Sequence, residues 1–564
     1  MDPISDEQLV KLLPALVEAA RADPGTASRF VPPRTGVLEE TASRHHQFVF
    51  GRRGVGKSTL LRKIESLDSG GHGDVIFVDI ETLRGRPYPD VLIELLIALL
   101  SSVQSRLKDK AGFVDLNRSR RKARKQLNRL VKTLRRLLNE PQTAERVIRE
   151  LRSSSHSIGA GAGAEGRIKQ IFRFRGHADA DRSSSHAESR EARVEESKMD
   201  GLLAAAVLIR EALSNAQDHH DDNTMLVVLD DFYHVPYDDQ PDVLAYLHQI
   251  VKNLGIYLKV CGVRHRINPF IEDDPPRGLQ IGHDAAVVSL DITLARLTAA
   301  QSFLENVLIG ILAPLEIDLD VLVSEGGRQR LVLGSGGVAR DYLFLTQNAL
   351  RNANEREANA SRLHNRVGAE DVNEAAADLT AQKQDDLAID VGEDADRLRA
   401  RLTDIVKFCL DVNKTNVFLV EGPTLQEEQW GSDIQALADL RLVHAIGNLS
   451  VQTGTYRGRR FVGFTLDLSN YTGTRSERVE QLEFWTPGGK QATRRARLIY
   501  APGAADRPPA RDEEGPSDEA LEGMWGEQTD IFDVIQDLEG QAETDDRTAG
   551  TPDAGRAGQA PPNS

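Results

Sequence analysis

Apolar and polar positions alternate in blocks along the first 300 residues. Apolar runs of strand length at 47–50, 74–80, 225–231, 256–263 and 286–292 are separated by stretches with helical spacing at 57–67, 88–103 and 202–213. Strands alternating with helices predict an α/β core, a parallel sheet covered on both faces. Before it, Leu9, Leu12, Leu13, Leu16 and Val17 recur at helical spacing, which predicts an N-terminal helical extension over 1–45 that packs on the core. The core spans 46–298, and helical patterns from 299 to 385 follow it as a lid.

The alternation is interrupted over 105–198. Residues 118–136 hold ten Lys or Arg and no acid, with Leu127, Leu130, Val131, Leu134 and Leu137 on one apolar stripe. A Gly/Ala run at 159–164 and a basic, β-prone piece at 167–175 come next. Two readings of the basic helix stand, a solvated face or a surface for nucleic acid or another partner.

Beyond an acidic linker, residues 395–470 run helix, strand, two helices, strand, loop, strand. That order predicts a winged helix-turn-helix domain. Its candidate recognition helix carries Glu427, Glu428, Asp433 and Asp439 and no base before Arg441, whereas the wing offers Arg457, Arg459 and Arg460. DNA contact therefore falls to the wing or to the basic helix, against a protein-docking role for the domain. A basic extension (471–504) leads to a tail (505–564) whose composition predicts disorder. Within the tail Ile531, Val534, Ile535 and Leu538 mark a short amphipathic helix over 529–539, a candidate docking motif for a protein partner.

Charge changes the picture only once it is divided. The net charge is −16, but the tail from Ala505 holds 16 acids against four Arg, so all that precedes it carries only −4. Two cysteines, Cys261 and Cys409, exclude a disulfide framework and point to a reducing cytoplasm. The apolar run 91–103 contains Glu94 and is shorter than a membrane span, and Met1-Asp2-Pro3 lacks the basic start of a signal peptide, so no membrane partner is expected.

The chemistry gathers at Gly51-Arg52-Arg53-Gly54-Val55-Gly56-Lys57-Ser58-Thr59, which follows the first strand and opens a helix. Glycines let successive backbone N–H groups turn around an anion, and the helix start adds its positive dipole end. In such a loop Lys57 reaches the terminal phosphates of a nucleoside triphosphate, expected to be ATP, and Ser58 ligates Mg²⁺. The strand 225–231 ends in Asp230-Asp231. Asp230 is expected in the Mg²⁺ shell, and Asp231 to orient or deprotonate the attacking water.

With the fourth strand ending in Arg264-His265-Arg266, these motifs resemble the AAA+ and STAND P-loop ATPases, in particular bacterial origin-recognition-like members with a C-terminal winged helix. The resemblance covers about residues 40–104, 200–385 and 395–470. It implies ATP binding and hydrolysis, homo-oligomerisation, and a switch or remodeller acting on DNA. It also implies that Arg264 senses the γ-phosphate, that Arg340 after Gly336-Gly337 is a second sensor on the lid, and that Arg277 is an arginine finger, a role for which Arg266 competes. Active motors of this type carry Asp-Glu where this chain has Asp230-Asp231. That departure and Arg264 lean towards slow turnover, in which the chain is a nucleotide-gated scaffold in bacterial defence or regulation. A winged-helix transcriptional regulator is the third reading.

Overall fold

The computed structural model describes residues 6–21, 29–66, 74–109, 117–139, 186–219, 224–360, 366–391, 394–451, 456, 458–472 and 481–506. The tail with its predicted docking helix 529–539, the Gly/Ala run 159–164, the piece 167–175 and Arg457 lie outside the described residues.

The core strands are β1 (Gln47–Phe50), β2 (Asp74–Asp79), β3 (Met225–Asp230) and β4 (Ile256–Gly262). A small antiparallel ribbon of β5 (Phe270–Ile271) and β6 (Arg277–Gly278) precedes the last, β7 (Ala286–Ser289). The five strands form one all-parallel sheet in the order β2-β3-β4-β1-β7. Because side chains alternate along a strand, Phe48 and Phe50 face one helical layer while Val49 faces the other. The first layer includes helices Asp90–Asp109, Arg118–Asn139, His186–Gln217 and Gln240–Val251, and the second is led by Lys57–Ser66.

The basic helix belongs to that first layer. Leu127, Leu134 and Leu137 are fully covered among Leu96, Leu99 and Leu100, each stabilising the fold by roughly 1.5–3 kcal/mol. The helix His186–Gln217 begins well before the predicted start at 202.

The lid is built of Leu297–Leu312, Glu325–Ser335, Ala339–Ala360 and Ala369–Val391 around a second core. The N-terminal helix Asp6–Ala19 packs here through Leu9, Leu12 and Leu16, and not on the sheet. Among the described residues one helical stretch, Leu294–Leu315, is long and apolar enough to cross a membrane. Its Leu297, Leu304, Leu308 and Leu312 are buried in the lid core, the position of a core helix.

The C-terminal module starts with helix Ala395–Val406, which widens into a π-helical turn at Lys407–Val412. Strand β8 (Val417–Glu421), helices Gly422–Glu427 and Gln429–Asp439, β9 (Val443–Ser450) and β10 (Arg460–Leu466) follow. The strands form an antiparallel sheet in the order β8-β10-β9. The segment expected as a separate basic extension belongs to this module. Tyr500 N donates to Leu419 O at 2.8 Å, Tyr500 Oη donates to Asp404 Oδ2 at 2.6 Å, and Leu498 is fully buried. Leu419, Ile446, Phe461 and Leu468 also enter the lid core, so module and lid share apolar packing.

Candidate functional site

Parallel strands bring their C-terminal ends to one rim of the sheet, where ligands of open α/β sheets bind. The glycine loop leaves β1 there, and Asp230 closes β3 two strands away. Gly54 and Gly56 hold φ of 91° and 99°, a region where only glycine is unstrained, so the loop has the curvature the motif requires. Val55 anchors it in the core beneath.

Lys57 is buried at the start of its helix. Its Nζ donates to Gly51 O at 2.8 Å and Arg52 O at 3.3 Å, so the ammonium is held on the carbonyls of its own loop. Burial pushes its pKa down, while Asp231, Asp230 and Asp291 pull the other way. Ser58 Oγ donates to Asp230 Oδ2 at 2.8 Å across 172 residues of chain, which joins loop and strand end. Thr59 is half-buried in the next helical position.

Burial and the neighbouring Asp231 raise the Asp230 carboxyl to about 6 against the opposing effects of Ser58 and Lys57. Asp230 Oδ1 accepts the Asp231 backbone N–H at 3.1 Å. Asp231 itself sits in left-handed backbone, φ 52° and ψ 45°, which turns the chain sharply off the strand end. Two adjacent carboxylates, that of Asp230 buried and that of Asp231 partly exposed, repel each other, and a divalent cation would offset that repulsion. Among the described residues no three His, Cys, Asp or Glu side chains form a metal-ligand group. One hydroxyl and one buried carboxylate are a sparse oxygen set that suits Mg²⁺ finished by phosphate and water.

The two sensor candidates lie on the same rim. Arg264 begins a short turn after β4, and its guanidinium lies 5.5 Å from the centre of the Phe50 ring at the end of β1. Arg266 stacks instead over Tyr233, 4.5 Å from its centre. Arg340 N donates to Gly54 O at 3.2 Å, which seats the helix Ala339–Ala360 on the glycine loop. Its side chain turns aside, with Nε donating to Ala20 O at 3.3 Å next to the N-terminal helix.

Two expectations change. The loop motif groups Arg52 with the expected phosphate-binding residues, but its side chain is a fastener. The backbone N and Nε both donate to Asp291 Oδ1, at 2.8 and 3.2 Å, while Nη2 donates to Ile292 O at 2.8 Å and Gly336 O at 2.9 Å. Arg53 is the exposed arginine of the pair. Arg277 does not project as an arginine finger. It binds Asp242 at 2.8 and 2.9 Å through Nη1 and Asp273 at 2.6 Å through Nη2, so its guanidinium is occupied within its own chain.

The sequence pattern did not reveal how the C-terminal module meets this site. His265, between the two basic residues after β4, contacts Asp439 at the end of helix Gln429–Asp439. Arg441 Nη1 donates to Asp341 Oδ1 at 2.7 Å beside Arg340. At Gly336 an added Cβ would stand 2.1 Å from His444 Nδ1, so glycine is required for the close approach of module and lid. In the loop before β10, expected as a wing, Arg459 and Arg460 are exposed, and Arg459 lies 3.4 Å from both carboxylate oxygens of Glu421. Compared with models of known protein families and with curated proteins, the sequence matches none.

Proposed function

We propose that the chain is an ATP-binding, ATP-hydrolysing switch of the AAA+/STAND type, with the glycine loop as its trigger. The observation that carries this reading is the 2.8 Å hydrogen bond from Ser58 to Asp230, which unites a phosphate-loop helix and an acidic strand end on one rim. On this reading the loop N–H groups and Lys57 bind the phosphates, Lys57 exchanging the carbonyls of Gly51 and Arg52 for phosphate oxygens. Ser58 and Asp230 would hold Mg²⁺, which neutralises charge on the terminal phosphates. Asp231 would orient and deprotonate the attacking water, and Arg264 would face the terminal phosphate from the end of β4. Arg340 would report nucleotide to the lid, because its backbone already rests on Gly54 O.

The test is ATP binding and phosphate release by the native chain, Lys57→Ala and Asp231→Asn. Lys57→Ala should lose nucleotide affinity. Asp231→Asn should still bind, with turnover lowered by about 10²–10⁴-fold, the usual worth of a general base. Equal turnover in all three proteins would overturn the reading.

A second reading is a slow, nucleotide-gated scaffold. It is favoured by Asp231, one methylene shorter than the glutamate of active motors, and by the module held on the site through His265–Asp439 and Arg441–Asp341. It predicts tight ATP binding with negligible turnover even when duplex DNA is added. Reading the module as a DNA-reading winged helix has less support. Asp439 of the candidate recognition helix is engaged by His265 and Asp433 by Arg397, and the helix Gln429–Asp439 carries no base.

A further inference from the structure

The helix Arg118–Asn139 presents its cations as a stripe opposite its buried leucines. Arg121, Lys122, Lys125, Arg129, Lys132 and Arg135 are exposed, and none of them forms an ion pair with a described residue. From Lys122 to Arg135 successive members stand three or four residues apart, so like charges are neighbours along about 20 Å of helix, at 1.5 Å per residue. Mutual repulsion of this kind calls for an anionic partner. A membrane surface is a poor one, because the apolar face that would enter the bilayer is already buried against Asp90–Asp109 and His186–Gln217.

The complement is in the same chain. Residues 512–546 hold 14 acids and no Lys, Arg or His, the mirror image of 118–136. We propose that this acidic segment docks along the basic stripe and occupies a surface that would otherwise take nucleic-acid phosphates. Covalent connection gives the segment an effective concentration in the millimolar range, which a separate anion has to exceed. Reach is sufficient. From Asp506 to residue 530 an extended chain covers roughly 80 Å at 3.3–3.6 Å per residue, more than the ~60 Å breadth of a compact body of this size. The contact is electrostatic, since the helix keeps its leucines inside, so it weakens as salt screens it. The inference rests on charge and burial and is independent of any nucleotide at the glycine loop.

The experiment is carbodiimide cross-linking of the full chain at about 50 mM and about 500 mM salt, conditions that bracket the screening range, with the linked peptides mapped by mass spectrometry. Lys122, Lys125 and Lys132 should link to acids within 512–546 at low salt and lose those links at high salt. Absence of the links, or links from the segment to Lys490 instead, overturns the proposal. A full-length variant with the 14 acids replaced by Asn or Gln provides the second measurement. Its affinity for duplex DNA at low salt should rise at least about tenfold as the stripe is uncovered. Unchanged affinity would mean that the stripe already lies open to nucleic acid in the native protein, and would also overturn the proposal.

Discussion

Arg52 Nη2 donates to the carbonyl oxygen of Gly336 at 2.9 Å, so one guanidinium ties the glycine loop after β1 to the glycine turn before helix Ala339–Ala360. The same side chain holds Asp291 at 3.2 Å, and both partners are nearly covered, at 9% and 7% exposure. Removing one member of a buried pair leaves the other charge without compensation. Arg52→Ala should therefore lower unfolding free energy by about 3–5 kcal/mol. Arg52→Lys keeps the charge but not the planar fork, and should cost about 1–3 kcal/mol. Urea titration measures both. If Arg52 fastens the lid and does not grip phosphate, Arg52→Lys weakens ATP binding less than Lys57→Ala does; the reverse ranking would return Arg52 to the phosphate-binding set.

The two left-handed glycines of the loop should respond differently to alanine. At Gly56, φ 99°, an added Cβ meets nothing within 4 Å, so Gly56→Ala carries backbone strain alone, on the order of 1–3 kcal/mol. At Gly54, φ 91°, the Cβ would stand 2.9 Å from Arg340 Cβ and 3.1 Å from Val338 Cγ1. Gly54→Ala must displace the start of the lid helix as well as strain the loop. Amide exchange at 338–342 should accelerate in Gly54→Ala and stay unchanged in Gly56→Ala, and equal rates in the two would show that the lid does not rest on Gly54.

How much of this was legible follows from the range of each interaction. The loop, the strand ends and the alternation were readable because glycine spacing and apolar runs are local properties. Arg52 could not be read, since Asp291 is 239 residues away and nothing near either residue announces the other. The ion pairs of Arg277 are hidden from the sequence for the same reason. The resemblance alone suggests a finger, while Asp242, its partner, lies 35 residues earlier on a helix. The segment 471–504 reads as a basic extension because residues such as Arg494, Arg495 and Arg497 stand out in it. Its packing instead depends on Leu482, Phe484, Leu498 and Tyr500, buried residues with no regular period.

The junction of lid and C-terminal module contains a dry charge cluster. Lys383 Nζ donates to Asp467 Oδ2 at 2.7 Å and to Arg441 O at 3.2 Å, and His444 Nε2 lies 2.9 Å from the same carboxylate oxygen. Burial by itself would raise the Asp467 carboxyl, but Lys383 and His444 outweigh it and hold it well below the usual carboxylate range. A depressed folded-state pKa stabilises the fold above the unfolded value of about 3.9 and loses that stability as pH falls further. Asp467→Asn should cost about 3–5 kcal/mol at pH 7, because buried Lys383 keeps its charge without a counter-ion. Asp467→Asn with Lys383→Met should recover part of the loss; a double variant as unstable as the sum of the singles would show that the pair is not coupled.

A second buried lysine gives a pH dependence of the same sign in a higher window. Lys259 lies within β4 and is almost wholly covered, with Nζ donating to Ser43 O at 2.7 Å, His45 O at 3.0 Å and the Gln47 side-chain oxygen. No carboxylate is among these partners, so burial pushes its pKa down to about 7. In the unfolded chain the ammonium titrates near 10.4. Between about 7 and 10.4 the unfolded state therefore binds more protons than the folded one, and stability rises with pH across that window. Lys259→Met removes this titration, though it leaves three acceptors without their donor. The comparison should stop at about pH 8.5, where cysteine thiols of the unfolded chain are about half ionised and buried Cys261 and Cys409, held protonated in the fold, add an opposite slope. From pH 7 to 8.5 the native protein should gain about 1.6 kcal/mol relative to the variant, the slope growing from half of the full ~1.4 kcal/mol per pH unit at pH 7. Parallel stability profiles from urea titration would show that Lys259 folds without losing its proton.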